Sequence, residues 1–115
     1  MIFENTGLDG LHSDLAYLDE CAEKVGFIRW QWEYHRATYD LKIEDNKNQA
    51  EYFLRINTRA VEGKLEKPDT ILKIEAVYLG KATFPHGLEY ESVAPQPVMN
   101  VATKKLQELK ALLEA

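Results

Sequence analysis

The stretch FIRWQWEYHRATYDLKIED, residues 27–45, decides the fold. Ile28, Trp30, Trp32 and Tyr34 alternate with Arg29, Gln31, Glu33 and His35. Tyr39, Leu41 and Ile43 alternate with Thr38, Asp40, Lys42 and Glu44. A repeat of two belongs to a pleated strand, whose successive side chains point to opposite faces. The stretch therefore reads as two strands and a tight loop, with one apolar and one polar face. It holds both tryptophans and two of the six tyrosines, so its apolar face is the natural template for what packs beside it.

The same alternation returns twice downstream, at Tyr52, Leu54, Ile56 and at Leu72, Ile74, Ala76, Tyr78. One apolar and one polar face is the pattern of an antiparallel sheet covered on one side. A slip of one residue turns a strand over, so apolar positions must meet apolar positions. That condition pairs Tyr34 with Tyr39, Trp32 with Leu41 and Trp30 with Ile43. It pairs Ile43 with Tyr52, Leu41 with Leu54 and Tyr39 with Ile56, leaving Asn46–Gln49 as the turn. Leu54 then meets Ala76, and Ile56 meets Ile74, across a loop through Gly63, Lys64 and Pro68.

Upstream, Ile2–Asn5 reads as a short strand, and Leu11, Leu15, Leu18, Ala22 and Val25 share one helical face. Asp9 is its expected N-cap and Gly26 its C′ residue. Beyond Gly80 a short strand is expected between Leu88 and Ser92. Pro97 then suits the first turn of a last helix with Val98, Ala102, Leu106, Leu109 and Leu113 on its apolar stripe. The order is strand, helix, four strands, helix. This is a two-layer α+β domain, with an antiparallel sheet, curved around the last helix, covered on one face by two helices.

A chain of 115 residues fits one domain, residues 1–115, with enough apolar side chains to build a core. The net charge of −5 argues against nucleic acid and anionic membranes as partners. Cys21 is the only cysteine, so no internal disulfide can form. The opening residues carry Glu4 and Asn5 where a secretion signal would be apolar, and no apolar run is long enough to span a bilayer. The expectation is a soluble cytoplasmic protein.

The opening IFENTGL (residues 2–8), the strand FIRWQWEY (residues 27–34) and the order of elements resemble the YugN-like family, small proteins of bacilli and their relatives. The resemblance spans the chain and rests on overall pattern. It implies a fold grouped with the TATA-binding-protein-like arrangement of strand, helix, four strands, helix, with no DNA binding implied. It implies no established activity and supplies no functional residues.

Two constellations stand out. Trp30, Trp32, Tyr34, Tyr39, Tyr52 and Tyr78 fall on the expected inner face. Packed core is their economical use; the alternative is a cavity for a small apolar ligand, built from Trp30, Trp32, Tyr34, Tyr39 and Tyr78. On the outer face Glu33, Asp40, Arg55 and Glu75 fall in one row, with Glu33 opposite Asp40. A solvated charged face is the plain reading and an acid–base pair the sharper one. Phe53 beside Val77, with Ile71 nearby, forms an apolar outer patch suited to homodimerisation. His12, His35 and His86 lack metal-ligand spacing, so no metal is expected, and His86 in its Pro-His-Gly loop is the one best placed for chemistry. No phosphate-cradling glycine loop or nucleophile elbow is present, so no cofactor is expected. Cys21 reads as a buried thiol among acidic neighbours.

Two function classes follow. The first is a non-catalytic interaction or small-ligand-binding module acting as a homodimer, with an unidentified protein or small apolar ligand as a further partner. The second is an enzyme using Glu33 and Asp40, or His86.

Overall fold

The computed structural model describes residues 1–30, 33–62, 64–65, 67–83, 87–91 and 93–115. In chain order its elements are β1 (Ile2–Phe3), β2 (His12–Asp14), α1 (Leu15–Val25), β3 (Ile28–Trp30), β4 (Arg36–Asp45), β5 (Ala50–Glu62), β6 (Ile71–Thr83), β7 (Gly87–Glu89) and α2 (Gln96–Leu113). The strands form one antiparallel sheet in the order β1-β6-β5-β4-β3. Strands β2 and β7 pair with β6 on the same edge as β1. Three short strands thus tile one side of a long one. No helix among the described residues is long and apolar enough to cross a membrane.

Helix α1 starts later than the apolar spacing suggests. Asp14, rather than Asp9, is its N-cap: the Asp14 Oδ1 accepts from the Tyr17 N–H at 2.7 Å. Residues 12–14 are instead strand β2, and Leu11 packs against the core from outside the helix. The C-terminus matches expectation. Gly26 takes φ 111°, and its N–H closes on the Ala22 and Glu23 carbonyls. Leu15, Leu18, Ala22 and Val25 of α1, together with Val98, Ala102, Leu106 and Leu109 of α2, cover one face of the sheet. Each large side chain fully buried there contributes roughly 1.5–3 kcal/mol.

The pairing of β4 with β5 is the expected one: Tyr39 meets Ile56, Leu41 meets Leu54 and Ile43 meets Tyr52. The two neighbouring pairings depart from expectation, and each departure turns a strand over. In β3, Ile28 lies opposite Asp40 and Trp30 opposite Thr38. Phe27 sets that parity. It follows the glycine that ends α1, and it is driven into the core with 1% of its surface exposed. Residues 28 and 30 must then face outward. Ile28, Trp30 and Tyr34 are exposed at 67%, 49% and 59%, which corrects the inner-face placement of Trp30 and Tyr34. Trp32 lies outside the described residues. Of the described aromatics expected inside, only Tyr39 and Tyr52 are buried.

The second departure is a bulge. Asn57 pairs with Ala76 but Thr58 pairs with Ile74, so Glu75 is the extra residue on β6. Before it, Leu72 and Ile74 face the core; after it, Val77 and Leu79 do. Tyr78 is thereby carried to the outer face and Val77 to the inner one, correcting both expectations. The patch of Phe53 with Val77 does not form, because Val77 is fully buried.

Candidate functional site

Both helices lie on one side, so the other face of the sheet is uncovered by helix. Its side chains follow from the register as a grid. One row runs Trp30, Thr38, Asn57, Ala76; the next runs Ile28, Asp40, Arg55, Tyr78; a third runs Lys42, Phe53, Gly80. Neighbours within a row sit roughly 4.8 Å apart and rows roughly 7 Å apart. Over this grid folds the segment that follows β6, carrying Leu88 and Tyr90. Gly80 makes room for it: a Cβ at that position would stand 3.0 Å from the Leu88 Cβ and from the Tyr90 ring.

The result is a groove of about 530 Å³, within the range of small-molecule sites. Its floor is the pair Asp40–Arg55. The Arg55 Nε and Nη2 donate to the two Asp40 carboxylate oxygens, each at 2.8 Å. This parallel fork is the strong form of the interaction. The hydrogen bond to Asp40 raises the guanidinium above its usual range. Arg55 Nη1 donates to the Tyr90 hydroxyl at 3.1 Å. The Tyr90 and Tyr78 rings meet edge to face at 5.7 Å. Trp30 forms the opposite wall and Phe53 and Leu88 an apolar end. Thr38 donates to the Asn57 side-chain oxygen at 3.4 Å.

Among the described residues no buried side-chain polar atom lacks a partner. The groove gathers a guanidinium bonded to two partners, aromatic walls and the Asn57 side-chain amide. Such a lining suits a planar ligand with hydrogen-bonding groups.

The acid–base pair expected at Glu33 and Asp40 is not formed. Asp40 lies opposite Ile28 and is engaged by Arg55, and Glu33 lies in the bend after β3. Glu75 is not in the Arg55 row; it sits at the bulge, 3.5 Å from Arg59. His86 lies outside the described residues. Of the ten described candidates, the groove gathers Trp30, Asp40, Phe53, Arg55 and Tyr78. It leaves out Tyr34, Tyr39, Glu33, Glu75 and Val77. Sequence reasoning missed Thr38, Asn57, Leu88 and Tyr90. The β4–β5 register already placed Thr38 and Asn57 opposite each other beside Asp40–Arg55, and that was the available signal.

A second hollow, of about 550 Å³, opens at the end of α1. There the Tyr39 hydroxyl donates to Asp19 at 2.6 Å, and Arg29 pairs with Asp19 at 3.2 Å. These three polar groups are engaged with one another. No group of three or more His, Cys, Asp or Glu among the described residues is arranged to hold a metal.

The architecture defines a class: an α+β protein with an open antiparallel sheet and one face left to build a groove. The chain belongs to the YugN-like family, whose model matches residues 4–110. It is 34% identical over 115 residues to the uncharacterized protein YlbA of Bacillus subtilis (strain 168), covering 97% of this chain and 94% of that one. Its fold is similar to the crystal structure of the uncharacterized conserved protein YugN from Geobacillus kaustophilus HTA426, with a TM-score of 0.85 and 31% identity over 99% of this chain and 95% of that one. No function is established for the family by these relatives.

Proposed function

We propose that the protein is a non-catalytic, cytoplasmic small-ligand-binding module whose site is the outer-face groove. The carrying observation is the Asp40–Arg55–Tyr90 chain at the bottom of an aromatic-walled hollow. A held cation and its counter-ion there line a hollow of ligand size. Arg55 uses three of its five N–H groups on Asp40 and Tyr90, and the remaining two have no partner among the described residues and suit a ligand acceptor. A planar ring stacked on Trp30 or Tyr78 places an acceptor over that guanidinium.

The test is recovery of bound metabolites. Wild-type protein and the Trp30→Ala and Arg55→Gln variants are purified from the native host, and their small-molecule extracts are compared by mass spectrometry. A ring-containing metabolite enriched with the wild type and lost from both folded variants supports the reading. Identical extracts from all three would overturn it.

A second reading concerns association. Strand β3 is the last strand on its side of the sheet, and Ile28 on it is two-thirds exposed. An apolar side chain so placed favours a homodimer formed across that side of the sheet, rather than through the patch of Phe53 and Val77.

A further inference from the structure

The grid has one more row, at the far end of the groove from Phe53. Arg36 on β4 lies opposite Arg59 on β5; Arg59 lies opposite Lys73 on β6; Lys73 lies opposite His12 on β2. Four strands thus present three cations and a histidine side by side on one face, in a chain whose net charge is −5. Like charges directly opposite in a sheet are destabilising. The sheet avoids or offsets this elsewhere. Asp40 is opposite Arg55, and the opposed Glu44 and Glu51 share Lys42, at 3.5 and 3.7 Å. Among the described residues the one carboxylate that pairs with this row is Glu75, on Arg59. Arg36 and Lys73 make no ion pair among the described residues. A hollow of about 350 Å³, lined by Arg36, Thr38, Asn57, Glu75 and Tyr78, joins this row to the groove, sharing three of its residues.

Resting on the groove as the ligand site, we propose that its ligand is a small molecule with a planar ring at one end and a phosphate at the other. The ring sits between Trp30 and Tyr78, and Arg36, Arg59 and Lys73 hold the phosphate. Two physical matches select this class. Three cations less one carboxylate leave two positive charges, the complement of a phosphate monoester at about −1.5 to −2. From the Arg55 row to the Arg59 row is four residues along a strand, roughly 13 Å, and from the Trp30 row about half that. A spacer the length of a sugar bridges such a gap.

The experiment compares matched probes by calorimetry: riboflavin with flavin mononucleotide, and adenosine with adenosine monophosphate. Inorganic pyrophosphate is titrated separately and followed by backbone amide shifts. The proteins are the wild type, Arg36→Gln/Arg59→Gln and Trp30→Ala. In at least one pair the phosphorylated probe binds the wild type at least tenfold more tightly. The double variant loses that ratio and keeps the affinity for the unphosphorylated partner. It also melts no lower than the wild type, because removing opposed cations relieves repulsion. Pyrophosphate shifts the amides of residues 36, 59 and 73.

Equal affinity within a pair that binds would overturn the phosphate assignment while leaving the groove intact. If neither pair binds and pyrophosphate moves none of those amides, the basic row is not an anion site. A single-stranded oligonucleotide binding more tightly than every monomer would replace the small ligand with nucleic acid.

Discussion

At the scale of single residues the ion pair in the groove is asymmetric. The Asp40 side chain is 8% exposed and that of Arg55 32%. Arg55→Gln leaves a buried carboxylate without its counter-ion, whereas Asp40→Asn leaves a guanidinium that water can reach. Removing one partner of a buried charged hydrogen bond costs about 1–3 kcal/mol, and solvent screening lowers the figure for the exposed side. Urea denaturation is expected to place Arg55→Gln at the upper end and Asp40→Asn at the lower, with the double variant less destabilised than the sum of the two. Tyr39 offers a pH signature. Burial first, and then the bond it donates to Asp19, raise its phenol far above the ordinary 10.0. The unfolded chain gives up that proton at the ordinary pKa and the folded chain does not. The Tyr39 contribution is therefore constant below about pH 10 and reduces stability as pH rises beyond it. Tyr39→Phe removes that part of the alkaline decline, read from denaturation midpoints on either side of pH 10, and costs about 1–2 kcal/mol at neutral pH for the lost hydrogen bond.

At the scale of elements, the central pairing of β4 with β5 was legible because both strands alternate strictly and a polar turn joins them. The strands on either side were not, for different reasons. In β3 every second residue from Ile28 is apolar, yet Phe27 just before it is apolar too, and the burial of Phe27 on leaving α1 decides which set faces in. In β6 the run Ile71–Leu79 holds apolar residues in both parities, so a bulge at Glu75 reverses the faces with no break in hydrophobicity. The groove was half legible for the same reason. Its floor lay in the well-read pair of strands, and its walls came from the two strands whose faces were exchanged and from the residues Leu88 and Tyr90 beyond them. Gly80 tests how the wall is seated. A methyl group there meets Leu88 and Tyr90 at 3.0 Å, so Gly80→Ala lifts the segment after β6 off the sheet. The expected outcome is a stability loss within about 1 kcal/mol together with loss of the Tyr90–Arg55 contact, visible as shifted Tyr90 ring resonances. Unchanged resonances would show that the segment is held by other means.

At the scale of the whole molecule, the two sides of the sheet are finished differently. The β3 side ends on an exposed isoleucine. If two copies join there, sedimentation equilibrium of the wild type gives a mass that rises towards twice the monomer with concentration, and Ile28→Lys abolishes the rise without lowering the melting temperature. A wild-type mass independent of concentration removes the dimer. The β6 side is covered by three separate short strands, and that division governs how the molecule breathes. The Ile74 amide donates to Leu11 at 2.9 Å and the Leu79 amide to Met1 at 2.8 Å, so each depends on a small piece of chain able to peel away alone. Their hydrogens are expected to exchange with solvent sooner than those β6 amides that donate to β5, which open only with the core. Each peeling event uncovers a short length of strand edge instead of the whole, and so limits the template available for aggregation.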